Sequence, residues 1–226
     1  MRLTPANAPD FIAANTRLQT VPHAPEISLW LADEITPLWR LTEEELGAMG
    51  LPPPFWAFAW AGGQALARWL LDHPDQVAGQ RVIDLATGSG LVAVAAMKAG
   101  AASVLAADID PFCAAAVAAN AASNGVEIAF TDANLLDAPP PPVDLICAGD
   151  VFYEKPMAEA VLAWLKQAQA NGTRVIVGDP GRTYFPKSGL TCWPSTPSPP
   201  PASWRTRRSS ARASGPWTSR LRRDRR

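Results

Sequence analysis

Between residues 80 and 179, short apolar runs alternate with alanine-rich helical stretches, and this rhythm narrows the possible folds more than any other feature. Arg81–Ala86 (RVIDLA) reads as a strand, followed by a glycine loop and a helix from Gly90 to Ala99. Ser103–Asp108 (SVLAAD) is the next strand. Pro111 then sits where a first helical turn tolerates proline, and an alanine-rich helix runs to the stop at Asn124-Gly125. Val126–Thr131, Val143–Ala148 and Arg174–Val177 supply three more strands, the second of them entered through the Pro139–Pro142 linker. Met157–Ala170 is amphipathic, with Val161, Leu162, Leu165 and Ala168 on one face, and it ends at Asn171-Gly172. Strands that are apolar throughout are buried on both faces. The chain is therefore expected to form a doubly wound, mostly parallel α/β sheet of the Rossmann-like kind.

The first 80 residues are less regular. Asp10–Gln19 and Thr42–Met49 are expected to be helical, the second opened by a Thr42-x-x-Glu45 capping box. Gly62–Leu71 is a stronger helix, with Leu66, Trp69 and Leu70 facing inward. Between them lies Pro52–Trp60 (PPPFWAFAW), too proline-bounded for a core helix and unusually aromatic. It is either a packing strap over one end of the sheet or a wall of a ligand site.

Composition excludes several classes. With 48% hydrophobic and 18% charged residues the chain is too apolar to be disordered, and its longest apolar runs are too short to span a bilayer. Residues 1–20 lack a basic segment leading into an apolar one, so no secretory signal is expected. Cys113, Cys147 and Cys192 are odd in number and far apart, which suits a reducing compartment, and a cytoplasmic protein is expected. The two histidines, His23 and His73, cannot build a His-rich site, so no metal is expected. The net charge of −1 hides an asymmetry: residues 1–188 hold 20 acids against 11 Lys+Arg, whereas residues 189–226 hold nine arginines and one acid, Asp224. Those last 38 residues also carry six prolines and no valine or isoleucine, so a boundary lies near Gly189.

The loop after the first strand reads Asp84-Leu85-Ala86-Thr87-Gly88-Ser89-Gly90. Two glycines at a strand-to-helix turn let backbone amides approach a ligand closely, and the helix N-terminus favours an anionic group. Asp108, at the end of the second strand, is placed to accept from both hydroxyls of a ribose. A nucleoside-containing cofactor follows. Gly88-x-Gly90-x-x-Ala93 also satisfies the dinucleotide pattern, so NAD competes. Asp84 tips the choice: beside the turn it would repel a pyrophosphate by up to roughly 4 kcal/mol for unit charges ~4 Å apart, yet welcome the ammonium of a methionine moiety. S-adenosylmethionine is preferred, with a loop-pinning role for Asp84 as the bland alternative. Thr87 in the same loop, Ile109 after the second strand, and Asp132 and Asn134 after the third complete the candidate cofactor set with Gly88, Gly90 and Asp108.

The fourth strand runs into Gly149-Asp150-Val151-Phe152-Tyr153-Glu154. Enzymes that methylate exocyclic amines of bases carry a proline-aromatic segment here to stack on the flipped base. No proline follows Asp150. A carboxylate and a phenol with two residues between them suit a flexible cationic amine better than a flat base.

Together, PFWAFAWAGGQALARWLLDHP (54–74), VIDLATGSG (82–90), ADIDP (107–111), NAASNG (120–125), AGDVFYE (148–154) and GDPGR (178–182) resemble the seven-β-strand protein methyltransferases of family 16. Within that group the chain is most similar to the lysine methyltransferases that modify the β-subunit of electron transfer flavoprotein, over about residues 20–188. The resemblance implies a class I methyltransferase fold and a protein lysine as acceptor, with that β-subunit as partner. It also implies Asp150 and Tyr153 as catalytic residues on the acceptor side, and Trp60 beside the cofactor. Nucleic acid and membrane are not expected partners, and a monomer is expected. Methylation of a ribosomal protein or a small amine, or a binding module without turnover, are the alternatives.

The resemblance ends near Ser188. Seven-strand methyltransferases finish with two strands inserted antiparallel beside the fifth, and residues 189–226 offer no alternating apolar run. Three segments are thus expected: 1–61, helical and aromatic, covering the site; 62–188, the cofactor-binding core; and 189–226, an irregular basic tail lacking the antiparallel strands. A shifted reading frame is the favoured origin of that tail, ahead of a binding element for anionic partners.

Overall fold

The structure, a computed structural model, describes residues 7–33, 38, 47, 53–187 and, as backbone, 190–193 and 218–221. Apart from Gly47, which is helical, the expected Thr42–Met49 helix lies outside the described residues, as do its capping box and most of the basic tail.

The expected sheet is present. β3 (Arg81–Leu85), β4 (Ser103–Ala107), β5 (Ala129–Thr131), β6 (Leu145–Gly149) and β7 (Arg174–Gly178) are parallel, in the spatial order β5-β4-β3-β6-β7. α2 (Ala61–Asp72), α3 (Leu91–Lys98), α4 (Phe112–Asn124) and α5 (Lys155–Ala170) cover it. Side chains alternate between two cores, as the period of a strand demands. Val82, Leu145, Cys147 and Ile176 pack with Leu66 and Leu70 of α2 and with α3, while Ile83, Ile146, Val175 and Val177 pack with Val161 and Leu165 of α5. β3 pairs with β4 on one side and β6 on the other, so the chain reverses direction across the sheet there. A crevice opens at such a point, beyond the carboxyl ends of the strands.

Three expectations need correction. The helix expected over Asp10–Gln19 is α1 (Ala8–Asn15) and stops early: Asn15 Nδ2 and Thr16 Oγ1 donate to the carbonyls of Phe11 and Ile12 and close its last turn. The chain then enters an antiparallel hairpin that was not foreseen, β1 (Arg17–Val21) with β2 (Ala24–Leu31). Ile27, Leu29 and Leu31 of β2 are buried against the sheet's helices. The strand expected over Val126–Thr131 shortens to β5, because Gly125 in left-handed conformation hands the chain to an irregular turn.

The two antiparallel strands expected to be missing are present: β9 (Thr218–Leu221) pairs antiparallel with β7, and β8 (Leu190–Trp193) with β9. Ladder bonds join backbone amides to carbonyls, which arginine, serine and threonine supply as well as valine does. None of these eight residues is proline. Composition averaged over 38 residues concealed two short segments free of ladder-breaking residues.

Candidate active site

The parallel strands deliver Asp84, Asp108 and Asp150 to one end of the sheet, where a cavity of about 710 Å³ opens. That volume falls within the range of small-molecule and cofactor sites. Its floor is the glycine loop. Gly88 holds φ of +51° and Gly90 φ of +80°, a region that side chains disfavour. Asp84 is 1% exposed; its Oδ2 accepts from Thr87 Oγ1 at 2.5 Å and from the Ala93 amide at 3.0 Å. The carboxylate therefore pins the loop to the start of α3, the bland role allowed by the sequence. Burial pushes the Asp84 pKa up to about 7, against the smaller opposing effect of those two bonds.

Asp108 stands opposite. Its Oδ2 accepts from the Gly88 amide at 2.9 Å and its Oδ1 from the Asp110 amide at 3.0 Å. Both oxygens keep a second lone pair for a ligand's hydroxyls. Asp110, which the sequence did not single out, accepts from the Phe112 amide at 2.9 Å just ahead of α4 and also lines the cavity; burial raises its pKa.

An aromatic wall rises beside the glycine loop: the Phe55 carbonyl oxygen would lie 3.6 Å from a Cβ on Gly88. Phe55 and Trp56 lie on the 3₁₀ turn Phe55–Ala57 and split the two roles considered for PPPFWAFAW. Trp56 is 2% exposed and packs with Phe112 and Ala116, as a strap would. Phe55, Phe58 and Trp60 line the cavity. Trp60 Nε1 donates to the Phe55 carbonyl at 2.9 Å, and the Phe55 ring lies 5.9 Å from Trp60 and 5.7 Å from Tyr153, centroid to centroid. Phe55, Trp60 and Tyr153 are each about two-fifths exposed, so they stand at the mouth. Burial is the largest cause of a raised pKa at Tyr153, with Glu154 and Asp108 adding to it.

Asp150 follows β6 in left-handed conformation, φ +57°, unusual for a residue with a side chain. Three contacts hold it there. Its amide donates to the Gly178 carbonyl at 2.8 Å; Oδ2 accepts from the Gly63 amide at 2.9 Å; Oδ1 accepts from Arg182 Nη2 at 2.8 Å. The approach of α2 to the strand ends is close: a Cβ on Gly62 would meet the Gly178 carbonyl oxygen at 2.2 Å and Asp150 Oδ2 at 2.7 Å.

Of the residues expected at the site, Trp60, Asp84, Thr87 and Gly88 line the cavity, as do Asp108, Ile109, Asn134, Asp150 and Tyr153. Gly90 and Asp132 do not. Gly90 is the N-cap of α3 and faces Val117, and Asp132 is exposed. Asn134 also caps a 3₁₀ turn, accepting from the Leu136 amide. Arg182 was overlooked as a site residue although it lies in the GDPGR segment. Its signal was a lone cation following two glycines and a proline at a strand end. Among the described residues no cluster of His, Cys, Asp and Glu suits a metal ion.

The sequence profile of the ribosomal protein L11 methyltransferase (PrmA) family matches residues 66–175. The electron transfer flavoprotein beta subunit lysine methyltransferase of Xenopus laevis is 41% identical over 185 residues, covering 80% of this chain and 74% of that protein. The protein of the same name from Rattus norvegicus is 41% identical, over 71% of this chain and 63% of its own length, so this chain spans less than two thirds of it. Among solved structures, the ribosomal protein L11 methylase of Lactobacillus delbrueckii subsp. bulgaricus is 35% identical with a TM-score of 0.42, covering 51% of this chain and 57% of that one. The doubly wound sheet, the glycine loop facing Asp108 and the identity to the frog protein lead to one assignment: the chain belongs to the family of electron transfer flavoprotein beta subunit lysine methyltransferases.

Proposed function

We propose that this chain transfers a methyl group from S-adenosylmethionine to the ε-amine of a lysine on the β-subunit of electron transfer flavoprotein. One observation carries the reading: Gly88 and Asp108, which would hold the ribose, line the same cavity as Asp150, Tyr153 and the aromatic wall, which would form the acceptor end. The chemistry of that lining suits the cofactor. Asp108 and the Gly88 turn would hold the ribose, Ile109 and Asn134 would flank the adenine, and the acidic floor at Asp84 would face the methionine ammonium. Bound there, the cofactor supplies an electrophilic methyl on a positively charged sulfur.

The chain's own task is to present a neutral amine in line with that methyl. Tyr153 positions the nitrogen, and Asp150 draws the amine to the acceptor end. The apolar wall of Phe55 and Trp60 disfavours the ammonium form, which in water persists to a pKa of about 10.4. The proton leaves to water before transfer. A lysine-bearing protein suits the cavity mouth better than a polyphosphate, because the folded body is acidic. The buried thiols Cys113 and Cys147 support a reducing, cytoplasmic setting, and among the described residues no helix is long and apolar enough to cross a membrane.

Incubation with radiolabelled S-adenosylmethionine and purified electron transfer flavoprotein tests the reading. Label should enter the β-subunit and survive nuclease. Label absent from that subunit but present in a ribosomal protein would replace the acceptor, and label in RNA would overturn the reading.

A further inference from the structure

Six charged groups line the cavity: Asp84, Asp108, Asp110, Asp150, Glu154 and Arg182. Five are acids, so Arg182 is the single cation among the described lining residues. A carboxylate within about 4–6 Å of an amine stabilises its ammonium form and raises its pKa by one to three units. An ammonium has no lone pair with which to attack a methyl carbon. An acceptor site built on an uncompensated Asp150 would therefore hold lysine in its unreactive form.

Arg182 meets this difficulty. Its Nη2 bonds Asp150 Oδ1 at 2.8 Å, and the arginine side chain is 29% exposed, facing the cavity. The loop that carries it is fixed: Asp179, 2% exposed, accepts from the amides of Gly181 and Arg182 at 2.7 Å each. On its other side Asp150 is fixed by the Gly63 amide of α2. Resting on the lysine-methyltransferase reading, we infer that Arg182 is a positioning residue that neutralises Asp150, so that the acceptor amine is oriented by a carboxylate without being trapped as ammonium. The remaining groups around Asp150 cannot substitute for it. Asp179 lies on the same loop; Tyr153 and Glu154 come from the β6–α5 loop, Asp108 follows β4 and Asp84 lies on β3; α2 contributes the Gly63 amide. None is a cation.

The test is the pH dependence of single-turnover methyl transfer at saturating electron transfer flavoprotein, with S-adenosylhomocysteine binding as a control for folding. In Arg182→Gln the rising limb should move up by about one pH unit, so the rate near neutrality falls roughly tenfold and recovers in alkali. Arg182→Lys, which keeps the charge, should leave the limb in place. Asp150→Asn, which leaves the guanidinium unpaired, should move it down, whatever the height of the profile. If Arg182→Gln does not bind S-adenosylhomocysteine, the other two variants decide: the limb must stay in place in Arg182→Lys and move down in Asp150→Asn. Limbs that stay together, with only their heights changed, would overturn the inference and leave the proposed function standing. A wild-type chain that methylates no lysine overturns both.

Discussion

Asp108 shows how one carboxylate shapes a loop and, on the proposed function, would then serve its ligand. By accepting from the amides of Gly88 and Asp110 it sets the glycine turn in place before any ligand arrives. Asp108→Ala loosens that turn and removes the ribose acceptors, and should weaken S-adenosylmethionine by about 1.5–3 kcal/mol in calorimetry. Tyr153→Phe should instead leave that affinity intact and slow transfer roughly ten- to a hundredfold, if the hydroxyl acts on the acceptor as proposed. Asp84 behaves differently, because it is buried. Its proton persists to about pH 7 in the folded chain, whereas the unfolded carboxyl loses it near its ordinary value. Folding therefore takes up a proton in between. The contribution to stability is largest below the unfolded value and is lost as pH rises towards 7. Burial of Asp110 and Asp179 adds in the same direction. Denaturant midpoints measured from pH 4 to 7 should fall, and Asp84→Asn should flatten the decline. Bound cofactor ammonium should flatten it too. The position of Asp84 was legible in the sequence; its protonation was not, because that follows from the docking of α3 over the loop.

The first turn of α2 meets the ends of β6 and β7 through Gly62, Gly149 and Gly178, and there is no room for a methyl group between them. The neighbouring backbone cannot retreat, because Asp150 ties the Gly63 amide to the Gly178 carbonyl. Gly62→Ala should therefore cost about 1–3 kcal/mol, read as a lowered urea midpoint, and should weaken cofactor binding by displacing Trp60. A midpoint equal to that of the unmodified chain would show that α2 slides freely. Elements with dense local signals were legible: β3, β4, β6, β7 and the helices α2 to α5 all follow from apolar runs and glycine or proline punctuation. The β1–β2 hairpin was not, because Pro22 and Pro25 speak against strands while its pairing partner and its helical cover lie far along the chain. Asn120 and Asn124 of α4 bond the backbone of Trp30 and Ser28, contacts some 90 residues apart that no local pattern announces. The Gly62–Gly178 contact was hidden likewise, though the Gly62-Gly63 pair at a helix start was its visible half.

At the scale of the whole molecule, the active-site sheet is finished by the segment that looked least able to finish it. β7 contributes Val161-facing residues to one core and Ile176 to the other, and its outer edge is covered by β9 through the pairs Ile176–Arg220, Val177–Ser219 and Gly178–Thr218. Gly178 is also the residue whose carbonyl receives the Asp150 amide, so the outer edge and the proposed acceptor end share one strand. Ending the chain after Ser188 should expose that edge. An open, apolar strand edge recruits other chains, so the truncated protein should elute as oligomers in size-exclusion chromatography and melt at a lower temperature. A monomeric truncation with an unchanged melting temperature would show that β8 and β9 add nothing. The change of composition at Gly189 makes a second, sharper comparison. If the reading frame has shifted there, the restored frame should encode an end rich in valine, isoleucine and threonine. That end would fill the places of β8 and β9 with side chains that favour a pleated sheet, and the restored protein should melt above the present one. Resequencing the Gly189 codon and comparing the two melts decides the matter, because a confirmed frame makes the arginine-bearing β9 the native neighbour of β7, with β8 at the edge.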